Sequence, residues 1–509
     1  MIRILPLMVK QTRLVPDLRP PRIARHRSMV TASQIQALDA LLVIAPLQGA
    51  ARLRSLPAAP AWLALHQSGE PHAGEVRSSA IGARSQCAAI IGYVAADAST
   101  FDILTLAGKM LAAIGHRPLA RLGCVVLADA ADAGLDALLS AALARAFALP
   151  KLRSKPGTAT RLARIDLFAT PAIDLKRIVA AAKATNLVRW LTALPPNLLD
   201  AAGYRRVIEQ LARQYRLRLR WYSHAQLERM GAGAFTAVAR ANLNGDAGIA
   251  HLSYGDTRSG SDVALVGKGI VFDTGGINLK PHRSMFDMHT DMSGSAVALA
   301  TLLALAEQRA PLAVEAWLAI SENNIGPDAY RPQEVVRALN GTTIQVVHSD
   351  AEGRMALADT LTLASRTRPR LIVDFATLTG ACVMALGERY SGVFSRDAKL
   401  AAQAVAAGVA SGERVWSFPM DTDYDEELES PVADVVQCTL DSKADHILAA
   451  RFLARFVPAA IPWLHVDLSA ATRKGGLGAV STEVTGFGAR FTLQLLADRA
   501  VRRRTRRRA

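Results

Sequence analysis

Residues 262–308 read DVALVGKGIVFDTGGINLKPHRSMFDMHTDMSGSAVALATLLALAEQ, and the order of apolar and charged runs within them decides the fold. The opening DVALVG (262–267) is a short apolar run of strand character. A glycine-rich charged segment follows it. SAVALATLLALAEQ (295–308) is a longer apolar run of helical length, and LAVEAWLAI (312–320) returns to strand character. Strand, helix and strand in succession predict a parallel sheet with helices on its faces. The alternation continues outward. TIQVV (343–347) is predicted as a strand, 357–365 as a helix and LIVDFAT (371–377) as a strand, while upstream 204–215 reads as a helix and LRLRWY (217–222) as a strand. The two charged segments, after 267 and after 347, are then expected beyond the carboxyl ends of sheet strands, where ligands bind in such folds.

Farther upstream, apolar strands such as GCVVLAD (123–129) alternate with helical stretches such as Leu135–Phe147, without a catalytic constellation. Residues 173–194 carry apolar side chains at helical spacing and stop at Pro195-Pro196, which predicts a helix joining two domains. A chain of 509 residues fits two or more units at about 150 residues per domain. The expected class is therefore α/β with two domains: a smaller N-terminal α/β domain (29–172), a linking helix (173–197), and a catalytic domain (198–500) with a mostly parallel mixed sheet flanked by helices. A basic extension (1–28), expected to be disordered, and an arginine-rich tail (501–509) complete the division.

The charged segments supply the chemistry. The first holds Lys268, Asp273, Lys280 and Asp291; the second, HSDAEGR (348–354), holds Asp350, Glu352 and Arg354. Four carboxylates match the charge of two divalent cations. Asp350 and Glu352 are two apart, so on an extended strand both would face one cavity. The glycines after Asp273 free the backbone to bend around an ion. Oxygen donors with one nitrogen and no thiolate suit Mn²⁺, Zn²⁺ or Mg²⁺. Neither HExxH nor HxxEH occurs, which removes the common one-zinc peptidase readings.

HSDAEGR is similar to the Asn-Thr-Asp-Ala-Glu-Gly-Arg signature of the leucine, or cytosol, aminopeptidases, and the run 267–292 resembles that family's other metal-binding segment. Further similarities follow in the family's order: ENN and PDAYRP between Glu322 and Pro332, DFATLTGACVMALG (374–387), HVDLS (465–469) and TGFGAR (485–490), together covering roughly 185–495. The resemblance implies a metal-dependent exopeptidase that releases N-terminal residues, leucine and similar ones preferred, from peptides. In it Asp273 and Glu352 bridge two ions (Mn²⁺ or Zn²⁺), Asp350 completes one site, and Lys268 and Asp291 complete the other. Lys280 donates to the oxyanion, an interaction typically worth ~3–4 kcal/mol. Arg354 holds a bicarbonate that carries the proton. Met288, Thr377 and Gly380 line the first side-chain pocket, and Leu378 offers a carbonyl to the substrate amine. A homohexamer in the cytoplasm is also implied. The alternative for Lys268 is a salt bridge to a site carboxylate, for Arg354 pairing with Asp350 or Glu352, and for Met288 core packing. His348-Ser349 and His289-Thr290 depart from the common pattern. Either histidine, if it touches the site, is more often a hydrogen-bonding neighbour than a ligand.

Composition bounds the alternatives. The net charge is +16, but 1–28 carry seven basic residues against Asp17, and 501–509 carry six arginines, leaving +4 for the 472 residues between. Such basic ends are solvated more often than they are specific. They nevertheless keep open a second reading, a DNA-binding or regulatory protein acting through its tails. A metal phosphohydrolase is a third, weakened by the absence of Walker and Rossmann glycine patterns. Four scattered cysteines form no CxxC pair, which fits a reducing cytoplasm. No uncharged apolar run reaches the ~18 residues of a membrane span.

Overall fold

The computed structural model describes residues 13–81, 86–129, 131–154, 161–242 and 245–497. Its frame is two large sheets. The first has six strands in the order Arg22–Arg25, Arg164–Leu167, Arg121–Val126, Ala40–Pro46, Cys87–Val94, Val76–Ile81, all parallel except the last pair. The second has eight, in the order Val415–Ser417, Ser391–Phe394, Trp463–Asp467, Ile372–Ala376, Val263–Asp273, Val314–Asn323, Gly248–Tyr254, Arg218–Ser223. Four of its seven neighbouring pairs are parallel, including the central three.

Side chains alternate along these strands, and both faces are buried. Val263 and Leu265 enter one core with the helices Leu175–Thr192, Ala201–Gln214 and Ser293–Glu307, whereas Ala264 and Val266 enter another with Gly233–Ala239, Glu352–Arg366 and Asp445–Ala454. A strand sandwiched in this way must be apolar at every position, which is why DVALVG reads as an unbroken run. Leu42 and Ile44 against Leu41 and Val43 repeat the division in the first sheet.

The helix Leu175–Thr192 begins on Asp174, whose side chain accepts the Arg177 N–H, and ends before Pro195. Ile178 packs in a core of the first sheet, while Leu187, Val188 and Leu191 pack in a core of the second. Buried Arg189 fastens the join by donating to the Ala144 carbonyl and to Thr482.

Three sequence expectations are corrected. Part of 1–28 is built into the fold: Arg22–Arg25 pair in parallel with Arg164–Leu167, Leu14, Val15 and Leu18 pack on a core of the second sheet, and the Trp190 indole donates to the Leu14 carbonyl at 2.7 Å. A domain boundary at residue 29 therefore cuts through the first sheet. Next, Thr343–Gln345 do not join the large sheet. They form a separate three-stranded sheet with Val335–Arg337 and Val435–Val436. Lastly, the following helix starts at Glu352, five residues before its expected start, so Asp350 and Glu352 converge through a turn into a helix and not through strand alternation. The tail expected at 501–509 lies outside the described residues.

The helix Ser293–Glu307 lies unusually close to the sheet. A Cβ on Gly294 would stand 2.1 Å from the Phe375 carbonyl oxygen, and one on Gly267 would stand 2.4 Å from Ser295 Cα. Glycine at both contacts lets the backbones touch, and this contact brings Asp291, just before the helix, to Lys268 midway along the Val263–Asp273 strand. Among the described residues no helix is long and apolar enough to cross a membrane, and the four cysteines are buried and free.

Candidate active site

Lys268 lies midway along the Val263–Asp273 strand and Asp273 at its end. Asp350 sits in the turn before the Glu352–Arg366 helix, and Glu352 is the first residue of that helix, where the aligned peptide dipoles favour a carboxylate. Asp273, Asp291 and Glu352 are buried, with Asp350 partly so.

Two ammonium groups each bind two carboxylates. Lys268 Nζ lies 2.8 Å from Asp291 Oδ2 and 2.8 Å from Glu352 Oε1, and it donates to the Thr377 carbonyl at 3.1 Å. Lys280 Nζ lies 2.9 Å from Asp273 Oδ2 and 2.6 Å from Asp350 Oδ1. Asp273, Asp350 and Glu352 each offer an oxygen within 4.8 Å of the others. Asp291 Oδ2 and Asp350 Oδ1 are buried and meet a lysine without an aligned hydrogen bond. Four convergent carboxylates against two ammonium groups leave an excess of two negative charges. This donor set fits divalent cations.

The electrostatics agree. Burial, reinforced by the neighbouring carboxylates, pushes Glu352 and Asp291 up to about 7, and burial with Asp273 pushes Asp350 up to about 6. Burial works against the charge on Lys268, but Asp291, Glu352 and Asp273 outweigh it and hold the ammonium above the ordinary lysine range. Lys280 is raised in the same way against its own burial, mainly by Asp273 and Glu352.

Three residues to which the sequence assigned no role in the site hold this arrangement. The Asn323 side-chain amide donates to Asp273 Oδ1 (2.8 Å), the Ser349 carbonyl (3.0 Å) and Glu352 Oε2 (3.3 Å), tying both charged segments to one buried group. The signal was available, because Asn323 belongs to the ENN run that carried part of the resemblance. Ser349 donates from Oγ to the Gly275 carbonyl at 2.6 Å and accepts the Asn278 N–H at 2.8 Å. Asp467 accepts the Thr379 hydroxyl at 2.7 Å and the Leu378 N–H at 3.1 Å, so it fixes the 377–380 turn.

The remaining candidates are distributed around this cluster. Thr377 Oγ1 donates to Asp291 Oδ1 at 2.7 Å, and Gly380 faces open space. Leu378 is fixed through its N–H. Met288 is half-buried in a short 3-10 turn three residues before Asp291. His348 Nδ1 accepts the Asp350 N–H at 3.3 Å, which requires the neutral ring, and burial lowers the histidine further. Arg354 is buried and pairs with neither Asp350 nor Glu352. Its Nη2 donates to Asp445 Oδ1 at 2.7 Å and its Nη1 to the Gln437 carbonyl at 3.2 Å.

Comparison with known proteins supplies the context. The profile of the cytosol aminopeptidase family, catalytic domain, matches residues 186–493. A probable cytosol aminopeptidase of Paraburkholderia phymatum is 36% identical over 361 residues, covering 70% of this chain and 71% of the relative. One of Roseiflexus castenholzii is 39% identical over 352 residues, covering 69% and 72%. Among solved structures, the bottromycin maturation enzyme BotP in complex with Mn superposes with a TM-score of 0.78 at 31% identity, over 91% of this chain and all of that one. Leucyl aminopeptidase from Trypanosoma brucei in complex with bestatin shares the fold, with a TM-score of 0.81 at 23% identity over 94% and 96%. The DNA-binding alternative gains no support from these matches. With its carboxylate and lysine cluster inside the matched segment, the chain belongs to the cytosol aminopeptidase family and is a metal-dependent aminopeptidase.

Proposed function

We propose that this chain releases N-terminal residues, leucine and similar ones preferred, from peptides at the cluster of Lys268, Asp273, Asp291, Asp350 and Glu352. The observation that carries this reading is the pair of ammonium groups, each bound to two carboxylates, in a pocket whose negative charge they do not balance. Asp273 and Glu352 would bridge two divalent ions, Asp350 would complete one site, and Lys268 and Asp291 the other. When bound, such ions activate a water and polarise the scissile carbonyl. BotP, solved with Mn, makes Mn²⁺ the first ion to try, with Zn²⁺ the second.

The protein groups divide the remaining work. Lys268 must shed its proton to serve as a ligand, which the charge of two adjacent dications favours. Lys280, partly exposed, would donate to the negative charge that develops on the carbonyl oxygen. Thr377 orients Asp291, and Asn323 orients Asp273 and Glu352, so the carboxylates need little reorganisation. The open face at Gly380 leaves room for the first side chain, with Met288 as its apolar wall. Leu378 would present its carbonyl to the substrate amine. A homohexamer and a cytoplasmic location complete the reading. No step passes through bicarbonate, because Arg354 already holds a carboxylate of the chain itself.

The test is turnover of leucine p-nitroanilide by the chelator-stripped chain before and after Mn²⁺ or Zn²⁺ is restored, with the N-acetylated substrate alongside. Restored turnover of the free-amine substrate alone is expected. Equal rates on free and acetylated substrates would overturn the exopeptidase reading.

A further inference from the structure

The partner of Arg354 carries an inference that rests on the aminopeptidase reading and goes beyond it. Arg354 is in the first turn of the Glu352–Arg366 helix and is 2% exposed. A buried guanidinium needs a counter-charge, and the one it has is Asp445, 91 residues later, at 2.7 Å. Asp445 opens the Asp445–Ala454 helix, and the turn delivering it holds Ser442 and Ala444 in the left-handed region, at φ 55° and 49°. Non-glycine residues adopt that conformation at a cost, so this placement is enforced by the surrounding structure. The Asp445 side chain is 19% exposed, and only Oδ1 is paired with Arg354. The pair borders the metal cluster: Asp445 acts electrostatically on His348, whose ring accepts the Asp350 N–H, and Arg354 feels Glu352.

The structure assigns Asp445 as a built-in anion, a positioning residue that occupies the guanidinium of Arg354 where the family resemblance calls for bicarbonate, so that hydrolysis by this chain needs no added small anion. Arg354 has one unused position besides. Its Nε is buried without a protein partner, and an anion that reached it would sit beside the like charge that Asp445 holds at Nη2.

The experiment measures leucine p-nitroanilide turnover by the Mn²⁺-loaded full chain in buffer stripped of carbon dioxide, titrated with bicarbonate and separately with formate. The unaltered chain is expected to be fully active at the start and unresponsive to either anion. Asp445→Ala should lose roughly 10–100-fold in kcat, as removal of groups supporting a metal site does. Bicarbonate or formate should then restore it saturably, with KM little changed. A merely structural role would not give rescue by a small anion. Asp445→Asn keeps the shape without the charge and should lose kcat to the same extent, so its activity without anion decides the matter if the alanine variant does not fold. Several-fold stimulation of the unaltered chain by bicarbonate would overturn the assignment. So would full activity of the asparagine variant without anion, or a folded alanine variant that no anion restores. Complete inactivity of the unaltered Mn²⁺-loaded chain under every condition would count instead against the proposed aminopeptidase reading.

Discussion

Gly353 separates Lys268 from the helix that carries Glu352, and replacing it with alanine should disable the site without unfolding the protein. An ideal Cβ at 353 would stand 2.6 Å from Lys268 Cε and 2.7 Å from both Cδ and Nζ, whereas ordinary contact begins at 3.4 Å. The lysine must therefore retreat by about 0.8 Å, and it cannot do so freely because Asp291, Glu352 and the Thr377 carbonyl hold its nitrogen. Overpacking of this size costs roughly 1–3 kcal/mol. Gly353 lies within the helix without a positive φ, so alanine returns about 1 kcal/mol of helix propensity. The net loss of stability is at most about 2 kcal/mol, which a domain of this size survives. Activity has no such compensation. Misplacing a reacting group by about 1 Å costs on the order of 100-fold. Gly353→Ala should thus melt within several degrees of the parent by calorimetry while kcat/KM for leucine p-nitroanilide falls about 100-fold. Its metal content after dialysis should fall as well. A variant with activity within threefold of the parent and full metal content would refute the claim that this contact sets the position of Lys268.

Two further outcomes are expected. In the metal-free chain Asp350, Glu352 and Asp291 sit at about 6 to 7, above their unfolded values, so the stability they contribute is present below pH ~4 and is lost as pH rises through 6 to 7. Metal binding displaces those protons, and the rise in Tm on adding Mn²⁺ should grow from pH 5 to pH 8, measured as the difference between loaded and stripped chain so that other groups cancel. A difference that is flat or shrinks across this range would contradict the assignment. Deleting 1–28 removes the edge strand Arg22–Arg25, the His26 contact to buried Asp166 at 2.8 Å and the Leu14 acceptor of Trp190. It should lower Tm by at least about 4 °C, taking ~2 kcal/mol at roughly 2–4 °C per kcal/mol; an unchanged melt would show the extension to be dispensable.

Local pattern and motif were enough to read the class of fold, the family, and the lysines and carboxylates that the structure brings into one cluster. Unbroken apolar runs such as DVALVG report burial on both faces of a sheet. The two charged segments name the lysines and carboxylates of the cluster because charge and side-chain type are written in the sequence itself. Local pattern also located the helix between the two sheets, whose capping aspartate and terminal prolines are neighbours in sequence.

What those groups touch emerges only once the chain has folded. Arg22–Arg25 look like a solvated basic leader until their partners, some 140 residues away, turn them into a sheet edge. The spacing of Asp350 and Glu352 suggested strand alternation, but the packing of the Glu352–Arg366 helix against the sheet extended that helix back over Glu352. Arg354 could be read as an anion holder or as a partner of its neighbours. Its partner proved to be Asp445, brought to it by a second helix on the same face of the sheet. Periodicity and motif record short-range preferences, whereas a counter-charge or a hydrogen-bond donor such as Asn323 or Asp467 is selected by proximity in space, which is fixed only once distant strands have paired.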